Sequence, residues 1–208
     1  MRPTGSLFVT GTDTDVGKTV VAAALTLGLD ACYWKPIQAG HEPSTDTDTV
    51  RRWTGLPGPR FIPEAYRLRA AMSPHAAAAL EGVEIDVARI VNTELPPARP
   101  VVIEGAGGLM VPLHKGALMV DLIGELRVPV ILVARTGLGT LNHTLLSVSE
   151  MRRRSIPLVG VVLNGEEHES NRRAIEEYGD LRVLGRVPPL GVVDAASLRS
   201  AFEGLELP

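Results

Sequence analysis

The chain has 208 residues, 21 basic and 24 acidic side chains, and a formal charge of −3. That length can bury a full core without disulfide or metal staples, so one unit spanning 1–208 is expected. The near balance of charge argues against the basic stripe of a nucleic-acid binder, and no apolar run is long enough to span a bilayer; neither nucleic acid nor a membrane is expected as a partner.

The N-terminus lacks a basic start followed by an apolar signal core, and Cys32 stands alone in a strand-like run. A cytoplasmic protein is the expectation. The first element, Leu7 to Thr10, reads as a short buried strand. It runs into Gly11-Thr12-Asp13-Thr14-Asp15-Val16-Gly17-Lys18-Thr19, and Val20 to Leu29 reads as an Ala/Leu-rich helix. A strand, a glycine loop, Lys-Thr and a helix make a phosphate cradle. Backbone N–H groups and the helix N-terminus bind phosphate oxygens, the lysine reaches the β- and γ-phosphates, and the threonine hydroxyl ligates Mg²⁺. The loop is one residue longer than the usual spacing, with Thr12 where the first glycine belongs, and it carries two acids.

Ala31 to Trp34 reads as a second strand, ending at Lys35-Pro36-Ile37-Gln38-Ala39-Gly40. A second lysine at the same sheet edge is placed to neutralise charge on a moving phosphoryl group, or is a solvated strand-end charge. The proline-rich stretch 40–75 reads as one short helix, about 46–54, inside long loops. Ser44-Thr45-Asp46-Thr47-Asp48-Thr49 opens that helix, so an acid here caps it or faces a metal. Ser73-Pro74-His75 reads first as a cap with proline at the first helical position; a substrate-facing His75 is the sharper alternative. Helical patterns follow near 75–81 and 86–94.

Val101 to Ile103 reads as a strand ending at Glu104-Gly105-Ala106-Gly107-Gly108. An acid at that tip, opposite the phosphate loop, suits Mg²⁺, directly or through water. Further strands are expected at 130–133, 158–163 and 181–184, with helices at 117–126, 141–153, 168–178 and 194–203. Gly137 to Gly139 form a turn opening the helix at 141, and Asn164-Gly165 is either a turn or a reader of a base edge. Continuous Val/Ile/Leu runs alternating with helices predict an α/β fold with a parallel sheet covered on both faces, whose ligands bind at the carboxyl ends of the strands. Only Lys18, Lys35 and Lys115 among the 21 basic residues are lysines. Two of them fall at that edge, where a compact charge with rotatable donors serves better than a guanidinium.

GTDTDVGKT, WKPIQAG, TDTDT, SPHAA, VVIEGAGG, GLGTLNHTLL and VVLN, in this order, resemble the dethiobiotin synthase family of biotin biosynthesis, over about Val9 to Pro189. The joint pattern is specific where a lone Gly-Lys-Thr is not. The resemblance implies a three-layer α/β/α fold with a mostly parallel sheet, of the P-loop nucleoside triphosphatase type. It implies an ATP-dependent cyclo-ligase that carboxylates 7,8-diaminononanoate with CO₂ (or bicarbonate), with Mg²⁺ as cofactor and release of ADP and phosphate. A carbamate on one amine attacks the γ-phosphate, and the neighbouring amine closes the carbamic–phosphoric anhydride to a cyclic urea.

By similarity, Asp15, Val16, Gly17, Lys18, Thr19 and Val20 form the phosphate loop, and Thr19, Asp48 and Glu104 take the metal. Gly105, Ala106 and Gly107 border the nucleotide, and Asn164, Gly165, Pro188, Pro189 and Leu190 lie on its adenine side. Lys18 and Lys35 match the catalytic lysines. Thr14, Lys35, Ala39 and Ser73 match substrate contacts. The turn formed by Gly139, Thr140, Leu141 and Asn142 matches one that is contributed by the other subunit of a homodimer and receives the substrate carboxylate. Three departures stand out: Ala39 replaces a usual Ser or Thr, Asp15 is shorter than the common glutamate, and Asp46 rivals Asp48 for the metal. Asp13 and Thr14 are expected on the side toward Lys35 and the second substrate, with Asp13 orienting a lysine. A nucleotide-switched ATPase of the partitioning or regulatory type is the competing reading.

Overall fold

The computed structural model describes residues 4–208. β1 (Leu7–Gly11) leads through the glycine loop to α1 (Lys18–Gly28) and β2 (Cys32–Trp34). Next come β3 (Ile37–Ala39), α2 (Asp46–Thr54), a 3-10 turn (Gly58–Arg60), β4 (Phe61–Ile62), β5 (Tyr66–Leu68), α3 (Pro74–Leu80) and α4 (Val87–Val91). The second half runs β6 (Val101–Gly108), β7 (Pro112–His114), β8 (Ala117–Leu118), α5 (Met119–Leu126), β9 (Val130–Arg135), α6 (Thr140–Arg153), β10 (Leu158–Asn164), α7 (Glu169–Gly179), β11 (Val183–Val187) and α8 (Ala195–Glu203).

Seven strands form one sheet in the order β11-β10-β9-β1-β6-β2-β4, every neighbouring pair parallel. Successive strand residues point to opposite faces, and both faces are covered. Phe8, Trp34, Ile103 and Leu132 pack with α3 to α7 on one side, while Val9, Tyr33, Val102 and Val133 pack with α1, α2 and α8 on the other. This is why the strand sequences are apolar throughout rather than alternating.

Two boundaries differ from expectation in ways that matter for the site. β6 does not end at Ile103. It continues through Glu104 to Gly108, with Val9 opposite Glu104 and Gly11 opposite Gly108. Glu104 is therefore held in the ladder with β1, one residue past the end of the pairing with β2, and not by a flexible turn. The last strand lies at Val183–Val187 rather than 181–184, because Gly185 continues the pairing with β10. The proline-rich stretch holds more order than predicted: β4 extends the main sheet past β2, and β3 and β5 pair as a separate two-stranded ribbon.

Candidate active site

At the carboxyl edge of the sheet lies a cavity of about 840 Å³, walled by the phosphate loop, β6, β3, α2 and the start of α3. Thr14, Asp15, Gly17, Lys18, Thr19, Val20, Lys35, Ala39, Asp46, Ser73, Glu104, Ala106 and Gly107 line it. Most of the residues expected at the phosphate and substrate positions thus meet in one place.

The loop enters from β1, whose pairing is prolonged by Thr12 N–H donating to the Val133 carbonyl at 3.0 Å. Two left-handed residues, Asp15 (φ 57°) and Gly17 (φ 97°), then turn it back onto α1. An aspartate tolerates that conformation and a glycine suits it. At Gly17 space is decisive as well, since a Cβ would fall 2.2 Å from Asn164 Nδ2. Asn164 rests on the loop and donates to the Val16 carbonyl at 3.2 Å. Gly165 is tied behind it by N–H donation to Val187, and its carbonyl accepts from Arg186. Pro188 and Pro189 are exposed beyond β11, with Leu190 half-buried. Of the predicted adenine-side residues, Asn164 rests against the loop, and none of them lines the main cavity.

Lys18 Nζ donates to the Asp13 carbonyl at 2.7 Å. Asp13 does orient a lysine, but through its backbone; its carboxylate accepts from Thr14 N–H at 2.8 Å. The expectation that Asp13 faces Lys35 is corrected: Thr14 lines the main cavity, whereas Asp13 borders a smaller hollow shared with Leu146, Ser147 and Glu150 of α6. Burial pushes the Lys18 pKa below the ordinary lysine value, with Glu104 opposing and Lys35 adding to the shift.

Lys35 is the centre of the charge cluster. Its Nζ lies 2.7 Å from Asp46 Oδ2, 3.0 Å from Glu104 Oε1 and 3.4 Å from the Gly105 carbonyl. Burial works against its charge, yet Glu104 and Asp46 outweigh it and hold the pKa above the ordinary value. Thr19 Oγ1 donates to Glu104 Oε1 at 2.9 Å and lies 3.4 Å from Asp46 Oδ1. Tyr33, buried on β2, donates its hydroxyl to the other oxygen, Glu104 Oε2, at 2.8 Å. Burial, and then the charge of Glu104, raise that phenol well above the usual tyrosine range, so it stays a donor.

The acid on α2 facing this cluster is Asp46, which corrects the assignment to Asp48. Thr45 is the N-cap of α2: its Oγ1 accepts from Asp48 N–H at 3.0 Å, and Asp48 Oδ2 accepts from Thr45 N–H at 3.2 Å. This reciprocal box occupies Asp48, and the Thr45 hydroxyl and amide hold its carboxyl below the ordinary value. Residues two apart on a helix point about 200° away from each other, so both acids cannot face the cavity. Gln38 fixes the choice. Its Oε1 accepts from Asp46 N–H at 3.0 Å while its Nε2 donates to the Gly40 carbonyl at 2.6 Å, pinning the head of α2 to the strand end.

The donor set fits Mg²⁺. Magnesium–oxygen bonds of about 2.0–2.1 Å set neighbouring octahedral oxygens about 2.9 Å apart, and Thr19 Oγ1 sits 2.9 and 3.4 Å from carboxylate oxygens of Glu104 and Asp46. Among the described residues no three His, Cys, Asp or Glu side chains gather to hold a metal. Magnesium usually takes one or two carboxylates and keeps waters and phosphate oxygens for the rest.

Ser73 makes no side-chain cap bond to α3 among the described residues and lines the cavity, while His75 is exposed and outside the lining. Ala39 lines the cavity without a hydroxyl. Gly139, Thr140, Leu141 and Asn142 stand at the head of α6, where the cavity of the same chain does not reach them. Tyr33, Gln38 and Trp53 were missed in the sequence. Tyr33 and Gln38 sit in a strand and beside a catalytic motif, where their polarity is the only signal, and Trp53 is seven residues after Asp46 on α2.

The model of a family described as AAA domain matches residues 5–197. An "ATP-dependent dethiobiotin synthetase BioD" of Rhodopseudomonas palustris (strain TIE-1) is 53% identical over 94% of this chain and 92% of its own length. Proteins of the same name from Afipia carboxidovorans and Novosphingobium aromaticivorans are 50% and 48% identical, over 94% and 95% of this chain and 93% and 94% of their own lengths. Among solved structures, the cell division ATPase MinD of Pyrococcus furiosus superposes with a TM-score of 0.51 at 12% identity, covering 96% of this chain and 98% of that one. The MinC:MinD complex of Aquifex aeolicus gives a TM-score of 0.56 at 14% identity, covering 94% and 85%. The likeness to these two solved structures shows the fold alone.

Proposed function

The chain belongs to the ATP-dependent dethiobiotin synthetase family, and from that premise we propose how its residues carry the reaction. As one ATP-binding unit, the chain carboxylates 7,8-diaminononanoate with CO₂ and closes the product to dethiobiotin, releasing ADP and phosphate. The observation that carries this reading is the convergence of a phosphate loop with Lys35, Asp46 and Glu104 in one cavity. A loop that merely holds a nucleotide has no need of a second buried lysine on its own strand.

The amine attacks CO₂ as the free base and sheds a proton, forming a carbamate. A carbamate oxygen attacks the γ-phosphorus and the bond to the ADP oxygen breaks. The second amine then attacks the anhydride carbon, the C–O bond to phosphate breaks, and phosphate leaves with the proton that this amine gives up. Each step moves negative charge within reach of Lys18 and Lys35, and positioning with charge neutralisation is what phosphoryl transfer chiefly requires. Lys18, steadied by the Asp13 carbonyl, serves the transferring phosphoryl group. Lys35, between the strand ends and the substrate wall of Ala39 and Ser73, serves the carbamate. Thr19, Asp46 and Glu104 would hold Mg²⁺, whose charge supports the β- and γ-phosphate oxygens when bound.

Two copies complete the site in this proposal. The Gly139–Asn142 turn of one copy receives the substrate carboxylate beside the cavity of the other, its backbone N–H groups and helix terminus suiting an anion. The fully exposed Leu138 beside that turn, with Leu146 and Met110, supplies apolar surface for the contact. Labelled bicarbonate supplied with the diamine and MgATP should appear in a cyclic urea with stoichiometric ADP; absence of label would refute the assignment. Light scattering should give twice the chain mass.

A further inference from the structure

We infer that Tyr33 is a positioning residue that makes Glu104 present a single oxygen to the cavity. The inference rests on the reading of Glu104 as a metal-side carboxylate and concerns a residue with no contact to substrate or nucleotide.

Parallel pairing of β2 with β6 sets Tyr33 opposite Val102, two residues before Glu104 and on the same face of the sheet. Such diagonal neighbours lie within reach of a long aromatic side chain, and the Tyr33 hydroxyl meets Glu104 Oε2 at 2.8 Å. Tyr33 is 0% exposed and Glu104 1%. The two carboxylate oxygens have separate duties. Oε1 meets Thr19 and Lys35 at 2.9 and 3.0 Å, while Oε2 meets Tyr33.

The last torsion of a glutamate is intrinsically broad. Without a partner on Oε2, the carboxylate is free to swing, offer both oxygens to one cation, or crowd Lys35. The phenol removes that freedom from behind, as hydrogen-bond partners of ligating carboxylates do in metal sites, where their loss typically weakens metal affinity by about 10–100-fold. The ring, fully buried in the core, also makes a tilted contact with Phe61, whose centroid lies 6.2 Å away.

The test uses the full chain loaded with ADP, with Mn²⁺ as the probe, followed by its paramagnetic resonance signal. Tyr33→Phe keeps the ring and removes the hydroxyl; it should bind Mn²⁺ about ten-fold or more weakly and raise the Mg²⁺ concentration for half-maximal turnover in parallel. Phe61→Leu disturbs the same packing but leaves the hydroxyl, and it should bind Mn²⁺ as the parent does. An equal loss in Phe61→Leu would overturn the inference, because packing alone would explain it. Loss in Glu104→Gln with parent-like affinity in Tyr33→Phe would overturn it alone. Parent-like affinity in Glu104→Gln would overturn the metal-side reading and the inference with it.

Discussion

Two charge clusters in this molecule look alike on paper and do opposite work. At the cavity floor Lys35 lies 2.7 and 3.0 Å from Asp46 and Glu104; on α6, Glu150 lies 2.7 Å from Arg153 and 2.5 Å from Arg154, which also meets Asp121. The distances match, but the surroundings do not. The Lys35 and Glu104 side chains are 5% and 1% exposed and only Asp46, at 33%, reaches solvent, whereas Arg153 is 65% exposed and Arg154 and Glu150 are partly exposed at 27% and 19%. Exposed pairs are screened and contribute about 0–1 kcal/mol. A buried pair must offset a large desolvation penalty, and removing one partner strands the other. The buried cluster is thus poor value for stability, and its place at the end of β6 is explained by chemistry.

The comparison can be broken at its strongest point by Lys35→Ala. Losing one preorganised donor at a developing charge typically costs roughly 10²–10³ in kcat. Turnover should fall by that order while calorimetry shows ADP bound nearly as before; normal turnover would remove Lys35 from the mechanism. Lys18→Ala should lower both turnover and nucleotide affinity. Next in size is the pair of neighbouring acids. Asp46→Asn should lower Mn²⁺ affinity about ten-fold or more, whereas Asp48→Asn should leave it unchanged and lose only part of a cap, about 1 kcal/mol of stability. The reverse order would restore the assignment to Asp48. Asp13→Asn should change turnover little, because an amide oxygen can still accept from Thr14 N–H; a large loss would put its carboxylate back at the substrate wall.

The smallest effect belongs to α6. Hydrogen bonds from Arg153 and then Arg154 hold the Glu150 carboxyl down to about 2 from the ordinary 4.5. A depressed carboxyl supports folding fully above its unfolded value and loses that support as pH falls toward its folded one. The melting-temperature gap between the parent and Glu150→Gln should therefore be flat above about pH 4.5 and narrow below it. A gap that widens in acid would contradict the pairing.

Much of the site was legible because its motifs stand at strand ends, where residue type and position coincide. The alternating β-strand and helix pattern, the phosphate loop, Lys35 and Glu104 all come from that rule. Asp46 and Asp48 could not be told apart in TDTDT, since the choice depends on which threonine caps α2, and Gln38 settles that from another element. The strands missed in 37–68 and 112–118 are two or three residues long, too short for any periodicity to register. The EGAGG run hides its strand character because its glycines argue against strand; pairing with β1 at Glu104 and Gly108 keeps it extended. Tyr33 carries no signal of its role in the sequence, because nothing in a three-residue strand tells which face a polar tip meets.

The scarcity of lysine has a practical side. Lys18 and Lys35 are 7% and 4% exposed, and Lys115 stands in the open turn between β7 and β8. An amine-reactive dye or resin should therefore find one side-chain handle per chain. A label or tether there would leave both reactive-site amines untouched, giving this protein a built-in attachment point that few lysine-rich enzymes possess.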